Sequence, residues 1–432
     1  ASRERENARL EYVLNETAYY EIPRLKRETG PEEEVRDMGW WRSIAKRVGE
    51  MSEDEKRRIL RDLIDSYVDD TAGRFDPRVF KLATGFLPVG LGLLFKTQDL
   101  GYLPETVTHL RSGLRHLRDL SQRVRVEGEV DTLRKLHQKG TVVVVPTHSS
   151  NMDSILMGWA LEESGLPPVT YGAGKNLFAN PLTSFFMHNL GAYKVDRRLS
   201  HPLYKNVLKS YSQVLLERGY HSLFFPGGTR CRSNQVEQSL KLGLLGTATS
   251  AYVTNLKQHN RDQRIFIAPV TINYNLVLEA ESLIREFLRR EGQARYFLEN
   301  DEFDQLSTIV RFVMNTVKMD AHTVLRFGQP LDPFGNIVDA EGNSYDDRGR
   351  LVDPAAFVRS TRTGEVIEDT MRDREYTKFC GTRIAREFLR ATVLQPANVV
   401  GWALFELAAA RFPRMDVFQL LRVASEEIVE VY

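Results

Sequence analysis

The sequence predicts an α/β protein: a central mixed, largely parallel sheet flanked by helices, with a helical N-terminal region ahead of it. Three observations predict this. The run TVVVVP, Thr141 to Pro146, is an unbroken β-branched stretch, which suits a strand covered on both faces. From 121 to 330, strand-like and helical stretches alternate, as parallel strands joined by crossover helices require. Before 121 the chain is charged and periodic.

In that N-terminal region, residues 1–120, the stretch SEDEKRRILRDLIDSYVDD sets Ile59, Leu60, Leu63, Ile64 and Val68 on one helical stripe. The core, 121–330, offers the strand-like runs TVVVVP, AYKV, HSLFFP, IFIAPVTINY and HTVLRFG. Between them lie helical stretches such as PLYKNVLKSYSQVLLERG. The third region, 331–432, opens with NIVDAEGNSYDDRGRLVDP, whose Asp, Gly and Asn between short apolar pairs predict hairpins or an irregular loop. Asp339, Glu341 and Asn343 lie around Gly342 like part of a calcium loop, but Arg350 stands where its last glutamate would be. No metal site is expected. The chain ends in helices that pack on the core.

The bulk properties set limits. With 59 Lys and Arg against 58 Asp and Glu, the formal charge is +1, so no global field attracts nucleic acid. Two cysteines, Cys231 and Cys380, make no disulfide framework and no zinc spacing, as expected of a reducing cytoplasm. The opening ASRERENARLEYVLNE is polar and helical rather than a signal peptide. No apolar run is long enough to span a bilayer. Two shorter runs, Leu82 to Phe95 and Asn398 to Phe412, read either as buried core or as shallow contacts with a membrane surface.

The chemistry concentrates in three places. Pro146 ends the valine strand, and THSSNMD follows, with His148 and Asp153 five residues apart. On one regular helix that spacing turns the chain about 140° past a full circle, so the two share no face. They meet only if His148 stands on the entering turn and Asp153 on the helix. A carboxylate would then fix one imidazole nitrogen and leave the other as general base. A structural histidine is the competing reading. Ser149 and Ser150 lie in no G-x-S-x-G elbow and read as caps.

HSLFFPGGTRCRSN, His221 to Asn234, runs a strand into Gly227 and Gly228, then Thr229, Arg230 and Arg232. Glycines let backbone N–H groups approach an anion, and arginine offers paired donors to phosphate. No lysine follows at P-loop spacing; an ordinary turn with solvated arginines is the alternative. GAYKVDRR, Gly191 to Arg198, again leads a strand into arginines. Between Gly191 and Lys241 nine Lys and Arg face three Asp and Glu, a local excess that attracts anions.

In order, these blocks resemble the glycerolipid acyltransferase superfamily, whose mark is H-x-x-x-x-D. His148 to Asp153 fits that mark. Gly191 to Arg197 is similar to the second block. FPGGTRCRS, Phe225 to Ser233, is similar to the third, F-P-E-G-[TG]-R-S-R, and APVTINY, Ala268 to Tyr274, to the fourth. Pro146-Thr147 before the histidine, LYKNVLKSYSQVLLERGY between blocks two and three, and VLQPANVVGWALFELAA near the end resemble the bacterial glycerol-3-phosphate branch.

The resemblance implies acyl transfer from an acyl thioester, on coenzyme A or acyl carrier protein, to the sn-1 hydroxyl of glycerol 3-phosphate. It implies no cofactor and no acyl-enzyme, with His148 as base and Asp153 as its orienting acid. Arg197, Arg230 and Arg232 would hold the phosphate, and backbone N–H groups near Gly227 and Gly228 are candidate oxyanion donors. A protein peripheral on the inner face of the cell membrane is the expected setting. Acylation of lysophosphatidate and non-catalytic lipid or anion binding are the alternatives.

Three residues depart from the pattern. Gly227 replaces a glutamate, Ser149 an arginine and Cys231 a serine. At Gly227, either the acceptor approaches more closely or a group elsewhere takes over the glutamate's role.

Overall fold

The structure is a computed structural model that describes residues 2–28, 31–80, 124–150, 153–178, 181–231, 235–258, 264–275, 277, 323–415 and 417–420. The apolar run Leu82 to Phe95 and the candidate Arg232 lie outside the described residues.

Helices α1 (Ser2–Glu28), α2 (Pro31–Arg47) and α3 (Glu53–Thr71) form the N-terminal region. Ser52 caps α3, accepting the Glu55 N–H at 3.2 Å. Leu14, Ala18, Leu25, Trp41 and Ile44 make its core, against which Ile59, Leu60 and Leu63 of the expected stripe pack. Lys56, on that same stripe, is fully buried. Its ammonium donates to Asn7 Oδ1 at 3.0 Å and Glu11 Oε2 at 3.1 Å, which offsets the cost of burying the charge.

The α/β region begins with β1 (Val124–Gly128), α4 (Val130–Leu136), β2 (Gly140–Pro146) and α5 (Asp153–Glu163). It continues with β3 (Thr170–Gly174), α6 (Pro181–Asn189), β4 (Ala192–Val195), α7 (Pro202–Glu217) and β5 (Ser222–Leu223). Then come α8 (Leu242–Lys257), β6 (Arg264–Tyr274) and β7 (Thr323–Phe327). The seven strands order as β1-β7-β6-β2-β5-β3-β4. Every neighbouring pair is parallel except β6 with β7.

The valine run divides between two layers because successive side chains in a strand point to opposite faces. Val142 and Val144 pack with Leu133, Leu136, Met157 and Leu161. Val143 and Val145 pack with Leu216, Leu245, Ala248 and Phe388. Both faces are covered, as a buried strand without polar alternation demands.

The N-terminal helices dock on this core through α7. His201, its N-cap, is fully buried and lies 3.3 Å from the Tyr67 hydroxyl. After β7 the chain forms a three-stranded antiparallel sheet of β8 (Ile337–Val338), β9 (Ser344–Tyr345) and β10 (Leu351–Val352), the hairpins expected there. Asp339 shapes the first turn by accepting the Glu341 and Asn343 N–H groups. Helix α9 (Thr370–Ala391) packs on the sheet through Cys380, Ile384 and Phe388.

Helix α10 (Pro396–Arg411) differs. Val399, Val400, Trp402 and Phe405 are all exposed, so the buried-core reading of Asn398 to Phe412 does not hold; among the described residues only Leu404, Ala408, Ala409 and Phe412 pack, with Leu420. Among the described residues no single helix is long and apolar enough to cross a membrane.

Candidate active site

Strands β2, β5, β3 and β4 run parallel, so their C-terminal ends share one edge of the sheet, the usual ligand edge of an α/β protein. His148 leaves β2 there, two residues after the strand ends. Asp153 is the first residue of α5. The pair meets as its spacing demands, histidine on the turn and carboxylate on the helix.

His148 Nδ1 lies 2.8 Å from Asp153 Oδ2. Asp153 is fully buried and its carboxylate is saturated with donors. Oδ2 also accepts the N–H groups of Ser149 at 2.7 Å and Ser150 at 2.9 Å, and Oδ1 accepts the Tyr274 hydroxyl at 2.5 Å. A carboxylate so bound only accepts, so Nδ1 carries the proton and Nε2 is left as the basic nitrogen. The imidazole stacks on Phe225, centroids 4.1 Å apart, which fixes the ring plane. The Ser149 and Ser150 amides thus serve the aspartate, as caps would.

The second block lies beside the first because β5 pairs with β2. Beyond the strands the Phe224 N–H donates to Val144 O at 3.2 Å and the Cys231 N–H to His148 O at 2.6 Å. These bonds hold the turn Phe225–Gly228 against the histidine turn. Gly228 has φ +73°, a left-handed conformation that glycine adopts without strain. Its N–H donates to Phe225 O at 3.0 Å and so closes the turn. That amide, expected among the oxyanion donors, is engaged within the protein.

Thr229 and Arg230 follow on the same loop, half-buried. Arg197 is exposed at the end of β4, three strands from β2 in the sheet order, roughly 14 Å by strand spacing. Arg198, also exposed, binds Asp196 with Nε at 2.9 Å and Nη2 at 2.8 Å. The structure therefore brings His148, Asp153, Gly227, Gly228, Thr229 and Arg230 together, and sets Arg197 at the far end of the same edge.

Two side chains at this site escaped the sequence reading. Tyr274 closes the fourth block and reaches Asp153 because β6, paired with β2 up to Val270, runs four residues past that strand's end. Its signal was its place at the end of a strand. Glu237 is the other. Its Oε1 accepts the His148 N–H at 3.2 Å. Burial, opposed by the His148 amide and reinforced by the Asp153 charge, pushes this carboxyl up to about 7. Its signal was to be one of three acidic residues in a basic stretch.

Comparison with known proteins matches the span that carries this site apart from Tyr274. Residues 124–273 match the Acyltransferase family model, from β1 to β6. A glycerol-3-phosphate acyltransferase from Aeromonas hydrophila is 30% identical over 203 residues, 46% of this chain and 23% of that protein. One from Pseudomonas fluorescens is 25% identical over 276 residues, 64% of this chain and 29% of the relative. The chain spans less than a third of the length of these curated relatives. A solved 1-acyl-sn-glycerophosphate (LPA) acyltransferase, PlsC from Thermotoga maritima, is 15% identical, with 65% of this chain and 89% of that one covered. Its TM-score is 0.28, too low to carry an argument here.

Proposed function

We propose that this protein transfers a fatty acyl group from an acyl thioester, on coenzyme A or acyl carrier protein, to the sn-1 hydroxyl of glycerol 3-phosphate. The observation that carries the reading is the His148–Asp153 pair at 2.8 Å, with Nε2 as the basic nitrogen beside a glycine–arginine turn. The Acyltransferase match over 124–273 and relatives named glycerol-3-phosphate acyltransferase support it.

The chemistry follows from the geometry. Nε2 takes the acceptor's hydroxyl proton as its oxygen attacks the thioester carbonyl. Asp153 stabilises the imidazolium that forms without itself taking the proton. When the tetrahedral intermediate collapses, the C–S bond breaks and the leaving thiolate recovers the proton from Nε2. One ester forms and one thiol leaves, and no cofactor is called for. Arg230 on the adjoining turn, Arg197 along the edge and Arg232 are the proposed partners of the acceptor phosphate.

The exposed apolar face of α10 supports a place on a membrane surface, where the acyl product partitions. The Asn398 side chain donates to Tyr274 O at 3.3 Å, so this helix starts on the residue that holds Asp153. This exposure supports a membrane-surface setting, and the inner face of the cell membrane is the one proposed.

The test is a panel of acceptors and donors on the purified protein, with His148→Ala as control. Turnover of glycerol 3-phosphate falling roughly 10²–10⁴-fold in the variant is expected. A strong preference for lysophosphatidate would replace the acceptor. Unchanged turnover in His148→Ala would remove the base.

A further inference from the structure

Gly227 has no side chain, and the structure fills the space with another residue's. A Cβ built at position 227 would lie 2.6 Å from Glu237 Oε1, 2.7 Å from its Cδ and 2.9 Å from Oε2. Real Cβ atoms do not approach so closely, so a side chain at 227 and the present position of Glu237 exclude each other. Backbone conformation does not explain this glycine, since Gly227 is absent from the left-handed residues while its neighbour Gly228 is among them.

The segment carrying Glu237 is pinned over the turn at both ends. The Lys241 N–H donates to Pro226 O at 2.7 Å, and the Cys231 thiol lies 3.1 Å from Gln235 O. Between those pins the carboxyl accepts the His148 N–H at 3.2 Å and occupies the space beside Gly227. One side chain thus binds the main chain of the base and packs against the turn at Gly227. Its Oε2 is buried without a hydrogen-bond partner among the described residues.

We infer that Glu237 supplies, from ten residues further along the chain, the carboxyl that position 227 lacks, and that it is a positioning residue locking His148 against the Phe225–Gly228 turn. The bridge acts through the His148 backbone, so its loss lets the base drift from the acceptor while the donor site stays intact. This deepens the proposed acyl transfer and rests on it for its kinetic readout, though not for its structural one.

The experiment is a relocation cycle on the whole chain: Glu237→Gln, Glu237→Ala, Gly227→Glu, and the double variant Gly227→Glu with Glu237→Gly. Thermal unfolding and steady-state acyl transfer are both measured. Glu237→Gln, which keeps an acceptor for the His148 N–H, is expected to hold kcat within about threefold. Glu237→Ala is expected to lower kcat roughly 10- to 100-fold with the thioester KM within twofold. Gly227→Glu alone forces two side chains into one space, lowering both Tm and kcat.

The double variant is expected to recover Tm and to bring kcat within about fivefold of wild type. A double variant no better than the worse single one overturns the inference, as does full activity in Glu237→Ala. If the wild type transfers no acyl group, the functional reading fails, and recovery of Tm in the double variant still decides whether the two positions share one carboxyl.

Discussion

The Tyr274 hydroxyl donates to Asp153 Oδ1 at 2.5 Å, on the carboxylate whose other oxygen binds His148. Strand β6 pairs with the whole of β2 and runs four residues beyond it, which delivers the base and the brace of its partner to one point.

That brace makes a graded prediction. Tyr274→Phe removes one donor of four to the carboxylate, and a hydrogen bond to a charged group contributes about 1.5–3 kcal/mol. A fall in kcat of roughly 10- to 100-fold is expected. Asp153→Asn turns an amide N–H₂ towards at least one of the same donors and reverses the imidazole tautomer. Its loss should match that of His148→Ala within about tenfold, and the double variant should lose little more. Steady-state kinetics on the four proteins checks this.

Arg197 stands exposed at the end of β4, so its replacement disturbs little packing. Arg197→Ala is expected to raise the KM for glycerol 3-phosphate roughly tenfold while leaving Tm within about 1 °C. An acceptor lacking the phosphate should show no such difference, which isolates the charge.

The pH dependence of stability has two opposed sources. His221 Nδ1 accepts the Val142 N–H at 2.9 Å, which requires a neutral ring. Burial, with a smaller contribution from His137, holds its pKa down to about 4. The unfolded chain binds a proton near 6.5 and the folded chain does not, so stability falls as pH drops from 6.5 towards 4. His221→Asn keeps an acceptor for Val142 and removes the titration; urea unfolding across that range should show a shallower loss than wild type.

Glu237 works the other way. Its carboxyl is raised to about 7, so the stability it contributes when protonated is present below about 4.5 and lost as pH rises through 7. Glu237→Gln is therefore expected to gain stability over wild type at pH 8 relative to pH 5, measured by the same unfolding midpoints.

The exposed apolar residues of α10 predict a lipid-surface contact. Val400 is 57% and Trp402 65% exposed. Val400→Glu with Trp402→Glu should weaken co-sedimentation with anionic phospholipid vesicles several-fold without lowering Tm. Unchanged sedimentation would assign the face to another partner.

The sheet was legible where burial writes itself into composition. The valines of β2 announced a strand covered on both faces, and the alternation of runs announced parallel crossovers. Strands β1 and β3 carried no such mark: TYGAG in β3 is held as a strand by neighbours on both sides, an influence that lies outside its own residues. The run HSLFFP promised a longer β5 than the Ser222–Leu223 pair; beyond it the Phe224 N–H still bonds Val144 O, but Phe225 enters the turn and stacks on His148.

The His148–Asp153 geometry was settled by residue spacing, since a helix of 3.6 residues per turn admits one arrangement of that pair. Tyr274 and Glu237 were not, because each reaches the site from a distant part of the chain: Tyr274 from 121 residues away, Glu237 from 89. Local periodicity reports the face a residue turns inward and the places where an element starts or stops. Which distant side chain enters the space left by a missing one depends on how strands and loops pack, and there the tertiary structure alone decided that the Glu237 carboxyl lies beside Gly227.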